Sequence, residues 1–236
     1  MTADAPTLLI DTATTRAVIA LGTADGAVIE QRGWTAGYRH GEELLTRIDG
    51  LLTDRGVSPS ELGAIVVGTG PGAFTGLRVG IATAKALAHA LRLPIVGVAS
   101  GLALLDAARA TAPLGATLVL VQPAGPNDRV LVRPGEPARI LPGGADPELA
   151  AGERLVAVDL AGHADDEAVA LGAAASDGLA AAMLATASRR LAAGDPDDLA
   201  TLVPEYVTLP RGVRMALPDE GVVVSGGTTD PAGHQS

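Results

Sequence analysis

The chain has no cysteine, one lysine and few aromatic residues. Without cysteine it forms no disulfide and no thiolate metal site, which excludes a stapled secreted scaffold and a zinc-finger type of module. Aromatics make up 2% of the 236 residues, so a core has to be assembled from Ala, Val, Leu and Ile. Hydrophobic residues reach 47%, ample for one large domain or two small lobes. Positive charge is also short, and the formal net charge is −10. Residues 1–100 carry nine acids and eight bases, whereas residues 101–236 carry eighteen acids and nine bases. No basic face is visible, so the chain is not expected to grip nucleic acid directly. No uninterrupted apolar stretch is long enough to span a bilayer; residues 179–187 are too short. The start Met-Thr-Ala-Asp-Ala-Pro has neither the basic nor the apolar region of a signal peptide. These shortages lead to the expectation of a soluble cytoplasmic protein without membrane contact.

Glycine, by contrast, is plentiful and clustered. Residues 68–80 read Gly-Thr-Gly-Pro-Gly-Ala-Phe-Thr-Gly-Leu-Arg-Val-Gly. An apolar run, 64–67, precedes them and an alanine-rich helical pattern follows, giving the order strand, glycine-rich turn, helix. Such a turn gathers backbone N–H groups and the positive end of a helix dipole at one point, which suits an anion or a close neighbouring backbone. Around it the sequence predicts strands at 7–11, 17–22 and 27–33, with Asp25-Gly26 as a hairpin turn. A helix follows over 41–55, with Leu44, Leu45, Ile48, Leu51 and Leu52 on one face and Gly56 as its stop. A strand at 64–67, a helix at 74–91 and a strand at 95–98 complete the first part. That order of elements is the order of a ribonuclease-H-like lobe.

The second part begins near Ser100, expected to cap a helix running to about Ala110. Strands are expected at 117–121, 129–133 and 155–158, a loop over 134–152, a helix over 167–193 and a last strand at 203–209. The reading divides the chain into an N-terminal lobe at 1–100, a second and acidic lobe at 101–212, and a disordered tail at 213–236.

Signals of intrinsic chemistry are weak. The four histidines, at 40, 89, 163 and 234, are never four apart, so no helical His pair exists to bind a metal. The glycine-rich turn lacks the Lys-Ser/Thr ending of a P-loop, and Lys85 lies about 16 Å along the helix from its start. No Gly-x-Ser-x-Gly is present. Asp11, at the end of the first strand and followed by Thr12, Thr14 and Thr15, is either the cap of a tight turn or a magnesium-holding acid. Asp11, Thr12, Gly70, Gly72 and Thr75 are the candidate contacts for a nucleotide or anion; no catalytic residue and no metal ligand are assigned. Gly76, Gly80, Ala84 and Ala88 recur every four residues and make a smooth ridge, which suits close approach of another helix or of the chain's own sheet.

The glycine-rich stretch resembles the Gly-Pro-Gly-Ser-Phe-Thr-Gly-Leu-Arg-Ile-Gly signature of the TsaB (formerly YeaZ) family. Asp11-Thr12-Ala13-Thr14 is similar to that family's Asp-Thr-Ser-Thr start. Arg39-His40-Gly41-Glu42-Glu43-Leu44-Leu45 is similar to its Arg-His-Ser-Glu-x-Leu-Leu segment, and Pro204-Glu205-Tyr206-Val207 to its Pro-x-Tyr-Leu. The matches span residues 10 to 207 in family order. Departures are Ala73 and Gly41 in place of Ser, and a diverged segment at 121–129, where the family's Asp-Ala-Arg is missing.

The resemblance implies an α/β fold of two ribonuclease-H-like lobes, as in actin, Hsp70 and sugar kinases. It implies a non-catalytic subunit that pairs with and activates TsaD in making threonylcarbamoyladenosine in tRNA, with TsaE joining the assembly. The tRNA would be held only indirectly. No intrinsic cofactor is implied, and an ATP or ADP is given room only where two subunits meet. The docking face implied is the pair of N-terminal helices. It would use Leu44, Leu45, Ile48 and Leu52 of the first, and Phe74, Gly76, Leu77, Gly80, Ile81 and Ala84 of the second. The alternatives are an ATP-dependent phosphotransferase or ATPase of the sugar-kinase superfamily, with Asp11 on magnesium, and a homodimer joined by the same ridge.

Overall fold

A computed structural model describes residues 5–35, 40–125 and 127–207, with side chains left out of account at 40–42. The expected tail at 213–236 lies outside these residues. The chain order is β1 (Thr7–Asp11), β2 (Arg16–Gly22), β3 (Val28–Thr35), α1 (His40–Asp54), β4 (Ala64–Gly68), α2 (Phe74–Leu91) and β5 (Ile95–Val98). It continues with α3 (Ser100–Ala108), β6 (Thr117–Pro123), β7 (Arg129–Val132), β8 (Arg139–Leu141), β9 (Glu153–Ala157) and α4 (Asp166–Ala192).

The strands form two sheets, ordered β3-β2-β1-β4-β5 and β8-β7-β6-β9. In the first, β2 runs antiparallel to β1 and β3, while β1, β4 and β5 are mutually parallel. The second repeats this pattern over four strands, with β9 parallel to β6 and the hairpins β6-β7 and β7-β8 antiparallel.

β1 and β4 are buried at every position, as central strands covered on both faces must be. Alternation along them sorts the core. Leu8, Ile10, Ile65 and Val67 point to one side and pack with Ile48, Leu51, Ile81, Ala84 and Ala88 of α1 and α2. Leu9 and Val66 point the other way. They join Leu104, Leu105, Leu179 and Met183 of α3 and α4, and Leu118, Leu120 and Val156 of the second sheet. The two middle helices are thus shared by both sheets. This explains the alanine content of α4: small side chains let it lie close to α3 and β9, and a Cβ on Gly172 would overlap the Ala157 carbonyl.

Three local expectations are corrected. Ser100 is not a cap; Ala99 is the N-cap of α3, no side chain caps that end, and the Ser100 hydroxyl is engaged elsewhere. The 134–152 segment is not all loop, because β8 pairs with β7 and closes the edge of the second sheet. The described residues of 203–209 form no strand. Instead the chain bridges β5 once, Ile95 to Asp197, and then crosses the end of the first sheet in an irregular course.

Candidate functional site

β1 and β4 both point their carboxyl ends at the glycine-rich turn, and the glycines there serve to interlock it with the loop after β1. A Cβ on Gly68 would overlap the Asp11 carboxylate, one on Gly72 the Ala13 carbonyl, and one on Gly80 the Thr12 hydroxyl. Ala73 N–H donates to Ala13 O at 2.7 Å, and Thr12 Oγ1 donates to Gly76 O at 2.7 Å. The turn is therefore filled by the chain's own backbone and hydroxyls. Gly70 is the one residue of this turn that needs left-handed backbone, with φ 103°.

Asp11 sits at the centre and is fully buried. Its Oδ1 accepts from Ala13 N–H at 3.0 Å and its Oδ2 from the Ser100 hydroxyl at 2.5 Å. Ser100 Oγ in turn accepts from Gly70 N–H at 3.2 Å. Burial pushes the Asp11 carboxyl above the usual aspartate range, and the two hydrogen bonds pull it part of the way back. With both oxygens engaged inside the fold, Asp11 presents none to solvent. Of the five candidate anion contacts, Asp11, Thr12 and Gly70 are buried, Gly72 is half-buried and only Thr75 is exposed. The arrangement is a structural clasp in this fold rather than an open cradle. Among the described residues no three His, Cys, Asp or Glu side chains cluster to hold a metal.

The smooth ridge on α2 also turns inward. Gly76, Leu77, Gly80, Ile81 and Ala84 are buried against the first sheet and the loop after β1, as are Leu44, Ile48 and Leu52 of α1. In the single chain these eight are spent on internal packing, with Gly76, Gly80 and Ala84 small enough to let α2 lie close to the sheet and to the loop after β1. Of the ten candidates, Leu45 stays exposed, at 56%, and Phe74 stays half-buried.

A different surface assembles beside them. The segment after α4 is tied down by Asp197, whose Oδ2 accepts from Gly97 N–H at 2.7 Å and from Arg190 Nη1 at 3.0 Å. Lys85 Nζ donates to Leu202 O, and Glu205 N–H to Thr69 O at 2.8 Å. That course delivers Tyr206 to the start of α2. Its ring centroid lies 5.4 Å from that of Phe74, and its hydroxyl accepts from Arg78 Nε at 3.1 Å. The Arg78 guanidinium lies 3.7 Å from the Phe74 ring centroid and 5.6 Å from that of Tyr206. Arg78 and Tyr206, 128 residues apart in the chain, thus meet with the half-buried Phe74 in one surface cluster, next to Glu205, whose carboxyl is pushed up by partial desolvation. Sequence reasoning missed Arg78 in this role; its place in the motif, four residues after Phe74 on a helix, was the available signal.

The family model described as "TsaD: tRNA N6-adenosine threonylcarbamoyltransferase" matches residues 34–193. An uncharacterized protein of Mycobacterium leprae is 44% identical over 96 residues, 39% of this chain and 27% of that protein. The protein of Escherichia coli named tRNA threonylcarbamoyladenosine biosynthesis protein TsaB is 38% identical over 93 residues, 39% of this chain and 40% of TsaB. The matched region thus spans less than half the length of these curated relatives. Among solved structures, YeaZ from Pseudomonas aeruginosa superposes with a TM-score of 0.60 at 27% identity, covering 86% of this chain and 99% of that one. The chain belongs to the family that the matching model describes, in its TsaB (YeaZ) branch.

Proposed function

We infer that this chain is an accessory subunit in the making of threonylcarbamoyladenosine in tRNA, pairing with and activating a TsaD-type threonylcarbamoyltransferase without performing the transfer itself. Its fold is read as two ribonuclease-H-like lobes of the actin and sugar-kinase kind, since the second sheet repeats the strand pattern of the first. The observation that carries the reading is the state of Asp11. In the sugar-kinase arrangement this acid faces a magnesium nucleotide, but here it is fully buried with both oxygens bonded internally. This also weighs against the alternative of an independent phosphotransferase or ATPase.

What the chain offers outward is a docking face. Leu45 on α1 and the Phe74–Arg78–Tyr206 cluster at the start of α2 combine apolar area with a cation, the composition that anchors protein interfaces. The acidic balance of the chain leaves tRNA to the partner. In this reading the heterodimer works in the cytoplasm as a scaffold, TsaE joins it as a further subunit, and any ATP or ADP sits where subunits meet. Mixing the purified chain with its cognate TsaD tests the reading. A one-to-one complex on a sizing column and a rise in tRNA modification are expected. TsaD activity indifferent to this chain, with no complex formed, refutes it.

A further inference from the structure

The Gly70–Gly72 turn is held on two sides by the β1 loop and the start of α3, and on its third side by the second sheet. Gln122 stands on β6, paired with Val130 of β7, and is 1% exposed. Its Nε2 donates to Pro71 O at 2.5 Å, across 51 residues of sequence. Among the described residues its Oε1 has no partner. Turning the amide over would set one carbonyl oxygen against another, so Pro71 fixes its orientation. A methionine would fill the same space without burying an orphan acceptor. What the amide adds at this position is therefore its donor. Packing carries the restraint onward. A Cβ on Gly101 would lie 3.2 Å from Pro71 Cδ and 3.5 Å from Leu120 Cδ2, so the turn is seated directly on α3 and β6. Two residues after Pro71, Ala73 is the N-cap of α2, and Phe74 opens the helix.

We propose that Gln122 is a positioning residue: its bond to Pro71 makes the second sheet set the Gly70–Gly72 turn and, through the start of α2, the orientation of the Phe74, Arg78 and Tyr206 side chains. The 121–129 segment then has a defined task in this chain. The proposal stands whether or not that face docks a partner, and its test uses no partner.

Amide hydrogen exchange and NMR spectra of the full chain provide that test. In the unaltered protein the Gln122 side-chain amide protons exchange slowly. In Gln122→Met, which keeps length and apolar volume, the Gly70, Ala73 and Leu77 amides exchange about tenfold faster, the factor for losing one buried hydrogen bond. The Leu120 and Val130 amides hold their rates, and the Phe74 and Tyr206 ring resonances shift. Gln122→Asn, one methylene short of Pro71, gives the same local pattern. A freely exchanging Gln122 side chain in the unaltered protein overturns the proposal. So does unchanged exchange at Gly70 and Ala73 in the variants, or an acceleration spread evenly over the chain.

Discussion

Gly72→Ala isolates the interlock at the glycine-rich turn. Gly72 has ordinary backbone torsions, so alanine brings no left-handed strain and limits the unfolded chain, a gain of about 0.4–1 kcal/mol. Against this, the new Cβ would stand 2.8 Å from Ala13 C and 2.9 Å from Ala13 Cβ, and would overlap the Ala13 carbonyl oxygen. Carbon pairs rest at roughly 3.5–4.0 Å, so the loop after β1 has to retreat by close to an ångström. The atoms in the way are mostly backbone and have no rotamer to yield. Overpacking of this kind costs about 1–3 kcal/mol. The retreat also stretches the 2.7 Å bond from Ala73 N–H to Ala13 O, for about another 1 kcal/mol. The net expectation is a loss of about 2 kcal/mol, or roughly 4–8 °C in Tm for a chain of this size. Urea and thermal unfolding followed by circular dichroism measure it. Gly56→Ala is the control: Gly56 has φ 64° with nothing near its Cβ position, so only backbone strain of about 1–2 kcal/mol is paid there. A Gly72→Ala protein within 0.5 kcal/mol of the unaltered chain would refute the reasoning.

Two further outcomes follow from the same geometry. Because the folded Asp11 carboxyl titrates above its ordinary 3.8, the folded state keeps a proton that the unfolded state has lost between those two values. Its contribution to stability therefore falls as pH rises through that window, by up to about 1.4 kcal/mol per pH unit, and is level above it. The stability difference between Asp11→Asn and the unaltered chain, taken by urea titration from pH 4 upward, should follow that curve; a difference independent of pH would contradict the burial argument. On the outward face, Arg78→Ala and Leu45→Asp are each expected to weaken TsaD binding about tenfold or more by calorimetry, with stability falling by no more than about 1 kcal/mol for the first, which gives up its contacts to Phe74 and Tyr206, and about 0.5 kcal/mol for the second. Unchanged affinity in both would remove this surface from the interface. Gly80→Leu is not a clean probe of docking, because its side chain would strike the Thr12 hydroxyl inside the fold.

The sequence by itself determined most of the elements and the family. Apolar runs and turn residues placed β1, β2, β4, β5 and α2 within a residue or so, because each carries its period or its glycine stop in adjacent residues. The Gly68–Gly80 motif, read together with the segments at 39–45 and 204–207, was specific enough to name the TsaB family. The direction in which the motif faces was beyond local reading. A four-residue stripe of small side chains is the same whether it meets another protein or the chain's own β1 loop, and only the parallel pairing of β1 with β4 brings Thr12 and Ala13 onto it. Ser100 likewise stands one residue inside a helix start, where a hydroxyl usually caps; its bond to Asp11 spans 89 residues of sequence and depends on α3 lying beside β1. The Phe74–Arg78–Tyr206 cluster and the Gln122 strut have the same origin. Each joins groups that are far apart in the chain, so the chemistry of each residue was legible in the sequence, while its partner was chosen only when the sheets and helices closed around the turn.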